Sequence, residues 1–385
     1  MSRGSWIRRM FEEGNRLKEK YGSDNVFDLS LGNPIIEPPP KFKAELKRVA
    51  NTEIPGMHRY MENAGYRETR TAVALQLSTE TGIQFTPNDI VMTSGAAGAI
   101  NVILKTVLNR DEEVIVFAPY FLEYDNYIDN HGGITRVVPT DDLFIPKLDA
   151  LEQAITGKTK AVIINSPNNP TGVVYSKDFV SRLTGLLQKK AAELSQPIYL
   201  ISDEAYRKII YDGLTYPQIF HHYSESIVAY SHSKDLALPG ERIGHIALHP
   251  ECKNHNELME GFIFCNRVLG FVNAPAFMQR VVCNLQDTTV SVADYQNKRD
   301  FLYNNLAAMG YSLLKPQGTF YMFPKSPDKD EIAFVKELQE HNILVVPGSG
   351  FGTPGYFRIS YCVEDRTLEG SLNGFKRAAS KHNMC

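Results

Sequence analysis

Between about residues 88 and 250 the chain repeats one pattern: a short apolar run, then a stretch whose apolar positions recur at helical spacing. The short runs fall at 89–93, 113–117, 161–165, 198–202, 226–230 and 243–248. Runs such as AVIIN and IYLIS are apolar without alternation, as strands buried on both faces require. Helical segments separate them, for instance over 177–193. This succession predicts an α/β fold whose large domain is a mostly parallel, doubly wound sheet with helices on both sides.

The pattern changes after about residue 275. Two helical stretches, 276–286 and 292–309, lead into the short strand patterns TFYMF, ILVVP and YFRISY, and a last helix starts at Glu364. That order predicts a smaller α+β domain. Near the N-terminus, Ile7, Met10 and Phe11 mark one face of an amphipathic helix. The segment NPIIEPPP at 33–40 can be neither helix nor central strand, because its prolines lack the backbone donor, and it reads as an ordered connection. The predicted division is a large domain over 45–289 and a small domain built from 1–44 and 290–385.

Composition narrows the possibilities. The 385 residues are 43% hydrophobic and 22% charged, ordinary for a soluble globular chain. That is length enough for two domains and a core able to bury a cofactor. A net charge of −3, with the basic residues dispersed, leaves no footprint for nucleic acid or an anionic membrane. Five cysteines without a CxxC pair read as reduced thiols, mostly packing residues, in a cytoplasmic protein. The first residues lack the apolar core of a signal peptide. No run approaches the roughly 18–20 apolar residues of a membrane span.

Ligands of an open α/β sheet bind beyond the carboxyl ends of its strands, so the residues just past each strand are informative. After IVMT come Gly95, Ala96 and Ala97, small residues opening a helix whose free N–H groups suit a phosphate. Small residues also begin helices for packing alone. The segment fits neither G-x-G-x-x-G nor a Walker A loop, which argues against NAD and ATP. After AVIIN, the turn SPNNPTG places Asn169 at the sheet edge, though Asn, Pro and Gly favour turns in any case. IYLIS is followed by Asp203, either an N-cap or a carboxylate that needs a cation, such as a pyridinium nitrogen, to be buried there. SIVAY is followed by Ser231, Ser233, Lys234 and Arg242. These offer a guanidinium for bidentate phosphate binding and a lysine suited, with a lowered pKa, to Schiff-base chemistry.

With these residues in place, the chain resembles the fold-type I pyridoxal-phosphate enzymes, specifically the class I/II aminotransferases related to aspartate aminotransferase. The matching motifs run the whole length in order: LGNP (31–34), HRYMENAGY (58–66), SGAA, PYFLEY (119–124), NNPTG, SDEAY, SHSK, PGERIG and GYFRIS (355–360). No single motif is decisive; the ordered set is specific. The resemblance implies an enzyme that moves an amino group between an α-amino acid and a 2-oxo acid.

It also implies roles for individual residues. Lys234 would carry pyridoxal 5'-phosphate as a Schiff base and shuttle the proton between the substrate Cα and the cofactor. Asp203 would keep the pyridine nitrogen protonated, so that the ring can accept electrons. Asn169 and Tyr206 would hydrogen-bond the phenolic oxygen, and Phe121 would stack on the ring unless it is an ordinary core residue. The Ala96 and Ala97 amides, behind Gly95, would hold the phosphate with Ser231 and Arg242; Ser233 is the weaker candidate. Tyr60 would reach the phosphate from the neighbouring subunit, which implies a homodimer with shared active sites. Arg358 would grip the substrate α-carboxylate in a bidentate fork, with Gly32 and Asn169 beside it. An arginine inside the apolar YFRIS is otherwise hard to justify, because a buried guanidinium needs an anion.

Some aspartate-specific bacterial relatives carry a lysine, near the phosphate loop, that meets the side-chain carboxylate. The aligned position here is Ala97, so that residue does not support dicarboxylate specificity. The adjacent His221 and His222 cannot readily chelate together and read as a surface loop, with no metal site expected. Two other readings stand beside transamination. A C–S lyase or a decarboxylase of the same fold would share the cofactor residues. A regulatory ligand-binding protein with an aminotransferase-like domain would need a DNA-binding module before the sheet, where about 44 residues leave no room for a winged helix.

Overall fold

The computed structural model describes the backbone of residues 6–384 and the side chains from Met10 onward except Phe11. Ile7, Phe11 and Cys385 therefore fall outside the side chains described. Within helix Trp6–Tyr21, Met10 is buried in the main core.

Seven strands form the central sheet: β1 (Ile90–Thr93), β2 (Glu113–Ala118), β3 (Ile134–Pro139), β4 (Thr159–Asn165), β5 (Tyr199–Asp203), β6 (Ser226–Ser231) and β7 (Gly244–Leu248). Their spatial order is β1-β7-β6-β5-β4-β2-β3. β7 runs antiparallel to both of its neighbours, while the remaining pairs are parallel. The sheet is mostly parallel, as expected, and both faces are covered. In β4, Val162 and Ile164 enter one hydrophobic core while Ala161 and Ile163 enter another. Successive side chains point to opposite faces, so an unbroken apolar run is what a doubly covered strand needs. Helices Gly95–Val107 and His255–Val268 pack on one face, and helix Lys177–Leu194 on the other.

β3 lies outside the strands expected from the sequence. Ile134 and Val137 are exposed and only Val138 is buried in this strand, which lies at the sheet edge. With most of its side chains in solvent, β3 leaves no continuous apolar run to be read, unlike β1, which forms the opposite edge but is buried. Several other expectations shift at their boundaries. The stretch 276–286 is helical only over Ala276–Val282. ILVVP divides into Ile343–Leu344, parallel to Phe27–Asp28, and Val346–Pro347, antiparallel to Phe357–Ser360. TFYMF contributes Tyr321–Met322, which flanks Phe357–Ser360 on its other side. The connection over 33–39 is neither helix nor strand, but Pro40 opens helix Pro40–Ala50 at a position where the missing N–H costs nothing.

One core joins these small sheets to the large one: it contains Ile115 and Leu200 from the central sheet together with Met322, Phe357 and Phe375. No described helix is long and apolar enough to cross a membrane. Four described cysteines are free thiols, and Cys252, Cys265 and Cys362 of these are buried.

Ile163, Ile201 and Ile227 stand in register across β4, β5 and β6, each at most 2% exposed. Ile201→Ala is expected to destabilise the protein by about 2–5 kcal/mol and Ile201→Val by about 0.5–1.5 kcal/mol, measured by urea unfolding. Equal, small losses would mean that this layer is loosely packed.

Candidate active site

The carboxyl ends of the parallel strands deliver the site. Asp203 is the last residue of β5 rather than the first beyond it, and it stands in register with Asn165, the last of β4. The Asn165 amide donates to the Asp203 backbone carbonyl (3.0 Å), and its side-chain oxygen accepts from the Asn169 N–H (2.7 Å). One side chain thus fixes both a strand end and the turn beyond its own strand. Ser231 ends β6 and caps the single-turn helix His232–Asp235, its Oγ accepting from the Ser233 N–H (3.2 Å) and lying 2.7 Å from the Ser233 Oγ. Lys234 rides on that turn.

Arg242 reaches the same edge because β7 runs backwards and so begins there: Gly244 pairs with both Ser231 and Thr93. Arg242 has a left-handed backbone (φ 51°), and its guanidinium donates to the Pro239 carbonyl (3.0 Å) and the Ser94 carbonyl (3.3 Å). A Cβ on Gly95 would stand 2.8 Å from the Arg242 Nη2, so glycine there makes room for the guanidinium against the helix start. From the C-terminal part of the chain, strand Phe357–Ser360 brings Arg358, and the loop after strand Phe27–Asp28 brings Gly32.

These groups surround a cavity of about 320 Å³. Every residue nominated from the sequence lines it except Gly95, which lies behind Arg242, and Tyr60, whose side chain is 90% exposed and outside it. Ser233 lines it as well. His221 and His222 lie elsewhere, and no group of three or more described His, Cys, Asp or Glu could hold a metal.

The electrostatics are those of a site with charge to offer. Asp203 is buried, and its partners are neutral: the Tyr124 hydroxyl (2.6 Å) and the Ala205 N–H (3.3 Å). Burial pushes its carboxyl above the usual aspartate range, against the pull of those two donors. Tyr124 is driven well above the usual phenol range by burial and by the adjacent carboxylate. Burial, reinforced by Arg358 and Arg242, lowers Lys234 from 10.5 to about 8, while its Nζ donates to the Gly32 carbonyl (2.7 Å). Arg358 is 1% exposed, yet it too meets only neutral acceptors, the Asn169 Oδ1 (3.0 Å) and the Ser30 carbonyl (2.6 Å). Its Nε has no partner, and its guanidinium lies 4.3 Å from the Tyr321 ring and 4.7 Å from that of Phe351.

A buried carboxylate without a cation and a buried guanidinium without an anion fit a ligand that supplies both. A phosphate ester carrying a protonated pyridine meets the first need and has Arg242, Ser231 and a helix N-terminus available for its phosphate. A substrate carboxylate meets the second.

The chain matches the model of aminotransferase class I and II over residues 24–374. It belongs to that family. It is 30% identical over 370 residues to an aspartate/prephenate aminotransferase of Thermus thermophilus, covering 92% of this chain and 91% of that one. An aromatic-amino-acid aminotransferase of Thermococcus litoralis is 30% identical over 396 residues, covering 99% and 97%. A crystal structure of an aminotransferase from Eubacterium rectale superposes with a TM-score of 0.96 at 38% identity, covering 99% of this chain and 97% of that chain. The enzyme is accordingly a pyridoxal-phosphate-dependent aminotransferase acting on amino acids and 2-oxo acids.

Sequence reasoning missed part of the aminotransferase's cavity. Tyr124 lies inside the PYFLEY motif but drew no role, and Tyr127 one turn later lines the wall. Along the chain Asn165 is only the last residue of an apolar strand. Tyr321, in the short strand Tyr321–Met322, carries no local signal at all.

A lysine of depressed pKa can be seen chemically. Competitive acetylation of the apo-protein at graded pH, read by peptide mass mapping, should give Lys234 a midpoint near 8, against the ordinary lysine value of 10.5. An ordinary midpoint at Lys234 would remove the claim that burial activates it.

Proposed function

We propose that transamination in this enzyme runs through Lys234, with Asp203, Tyr206, Asn169 and Phe121 around the cofactor ring. Ser231, Arg242 and the Ala96 and Ala97 amides take its phosphate, and Arg358 takes the substrate α-carboxylate. The observation that carries this reading is the convergence of Lys234, Asp203 and Arg358, ionisable groups on separate segments, on one cavity where buried Asp203 and Arg358 lack counter-charges. When bound, pyridoxal phosphate supplies an electron sink for the carbanion left when the substrate Cα loses its proton.

The protein does the rest. Arg358 orients the carboxylate, using a planar fork that an ammonium cannot reproduce. Gly32 presents a backbone carbonyl that holds the Lys234 Nζ in the absence of other partners. With its pKa pushed down, Lys234 can take a proton from the substrate Cα and return it near neutral pH. Asp203 keeps a proton on the ring nitrogen, where the carboxylate's burial makes the charge pair strong. Gly32, Tyr321 and Arg358 come from the proposed small domain (1–44 with 290–385), and the other lining residues from the large one (45–289). The free, mostly buried thiols suit a cytoplasmic location.

Borohydride treatment of the yellow holoenzyme should fix the cofactor to Lys234, located by mass mapping. A panel of amino acids in single turnovers should convert the bound cofactor to its amine form and release the matching 2-oxo acids. An adduct on another lysine would refute the assignment, and release of ammonia or CO₂ instead of amino transfer would refute the reaction.

The same reading makes the enzyme a homodimer whose sites are shared. Tyr60 is too exposed to serve its own cavity, and Phe264 (63% exposed) and Val268 (52%) leave helix His255–Val268 with apolar groups facing outward. A second copy would cover them, and an obligate interface of this kind buries roughly 2,000 Å² or more. Tyr60→Ala and Lys234→Ala chains, each nearly inactive alone, should regain partial activity when mixed under conditions that exchange subunits. In each hybrid one site carries both defects and the other neither. Hybrids demonstrated by mass but still inactive would place Tyr60 outside the partner's site.

A further inference from the structure

We infer that Tyr321 is a positioning residue for this reaction, donating its hydroxyl hydrogen to Tyr206 so that Tyr206 can hydrogen-bond the cofactor more strongly, while its ring seats Arg358. The inference rests on the role proposed above for Tyr206.

Tyr321 sits where three parts of the site meet. Strand Tyr321–Met322 pairs antiparallel with Phe357–Ser360, placing Ser360 opposite Tyr321. Arg358, two residues from Ser360 and therefore on the same face, lies with its guanidinium 4.3 Å from the Tyr321 ring centroid. The hydroxyl of Tyr321 stands 3.1 Å from that of Tyr206, both side chains being buried. It also presses against Gly32, where any Cβ would overlap the phenol oxygen. Gly32 in turn accepts the Lys234 Nζ. A single phenol therefore touches the residue proposed to face the cofactor oxygen, the guanidinium proposed to hold the substrate and the glycine beside the lysine.

The direction of the Tyr206–Tyr321 hydrogen bond is set by the hydrogens available. A tyrosine hydroxyl has one hydrogen to give and lone pairs to accept with. If Tyr206 gives its hydrogen to the phenolic oxygen of the cofactor, it can only accept from Tyr321, so Tyr321 must be the donor. Chained hydrogen bonds polarise one another, and a phenol that accepts becomes a better donor. Donation to the cofactor's phenolic oxygen favours the anionic form of that oxygen. It therefore lowers the pH at which the visible band of the loaded enzyme titrates.

A double-mutant cycle on the holoenzyme without substrate tests this, with the pH midpoint of the visible band as readout. Tyr321→Phe keeps the ring under Arg358 and removes only the hydroxyl; binding of one cofactor per chain verifies that the variant is folded. Tyr206→Phe is expected to raise the midpoint by on the order of one pH unit, and Tyr321→Phe by roughly a few tenths. The double variant should match Tyr206→Phe alone, because the second hydroxyl acts only through the first. A Tyr321→Phe midpoint equal to that of wild type, or an equal shift whether or not Tyr206 is present, overturns the inference while leaving the proposed role of Tyr206 intact. If Tyr206→Phe itself leaves the midpoint unmoved, the role of Tyr206 falls and the inference falls with it.

Discussion

A carboxylate at the end of a strand that is otherwise apolar has to be compensated, and the surroundings of Asp203 are arranged by that need. The protein gives it two neutral donors, from Tyr124 and Ala205, and fixes its backbone through Asn165. It gives no cation close enough to overcome the burial that raises the group's pKa. Asp203 is thus held in place but left electrostatically short. On the function proposed above, a cationic ring nitrogen would supply the missing term and would stabilise the folded chain by mass action. The same logic governs Arg358, whose buried fork meets only an amide oxygen and a carbonyl and has no anion beside it. In the proposed function, substrate and cofactor would complete an interior that the chain leaves open.

The residues next in sequence show the contrast. Glu204 and Asp235 immediately follow Asp203 and Lys234, and both are buried away from the cavity among charges of the protein's own. Arg207 bridges Glu204 (3.4 Å) and Glu80 (3.0 Å) and lies 4.9 Å from the Tyr230 ring centroid. Tyr230 donates to Asp235 (2.7 Å), which is also approached by His232 (3.1 Å) and Lys208 (3.5 Å). Although burial opposes it, these partners hold the Asp235 carboxyl down at about 2. Asp235, next to Lys234, is therefore compensated within the fold, whereas burial still raises the Glu204 carboxyl against the pull of Arg207. Removing one partner from such a network strands a buried charge, which is far costlier than losing a surface pair.

Much of this was legible along the chain, for a physical reason. Burial on both faces of a sheet is written locally as an unbroken apolar run, so β2, β4, β5 and β6 could be read directly, and with them the residues at their carboxyl ends. Lys234, Asp203, Asn169 and Ser231 were found because chemistry-bearing residues stand out immediately after such runs. Arg358 was found because a guanidinium inside an apolar strand contradicts its surroundings. By itself, then, the sequence determined the fold class, the edge of the sheet that carries the chemistry and most of the groups on it.

The tertiary structure decided what local pattern cannot encode. Strand β3 is exposed at the sheet edge and leaves no apolar run. The direction of β7, which returns Arg242 to the edge that carries the cavity, depends on which strands it lies between and not on its composition. Tyr124 and Tyr321 look like ordinary core aromatics until folding sets their hydroxyls against Asp203 and Tyr206. Hydrophobic periodicity records how deeply a residue is buried. Which polar atom it meets there is fixed only when distant segments pack, and at this site those meetings distribute the charge.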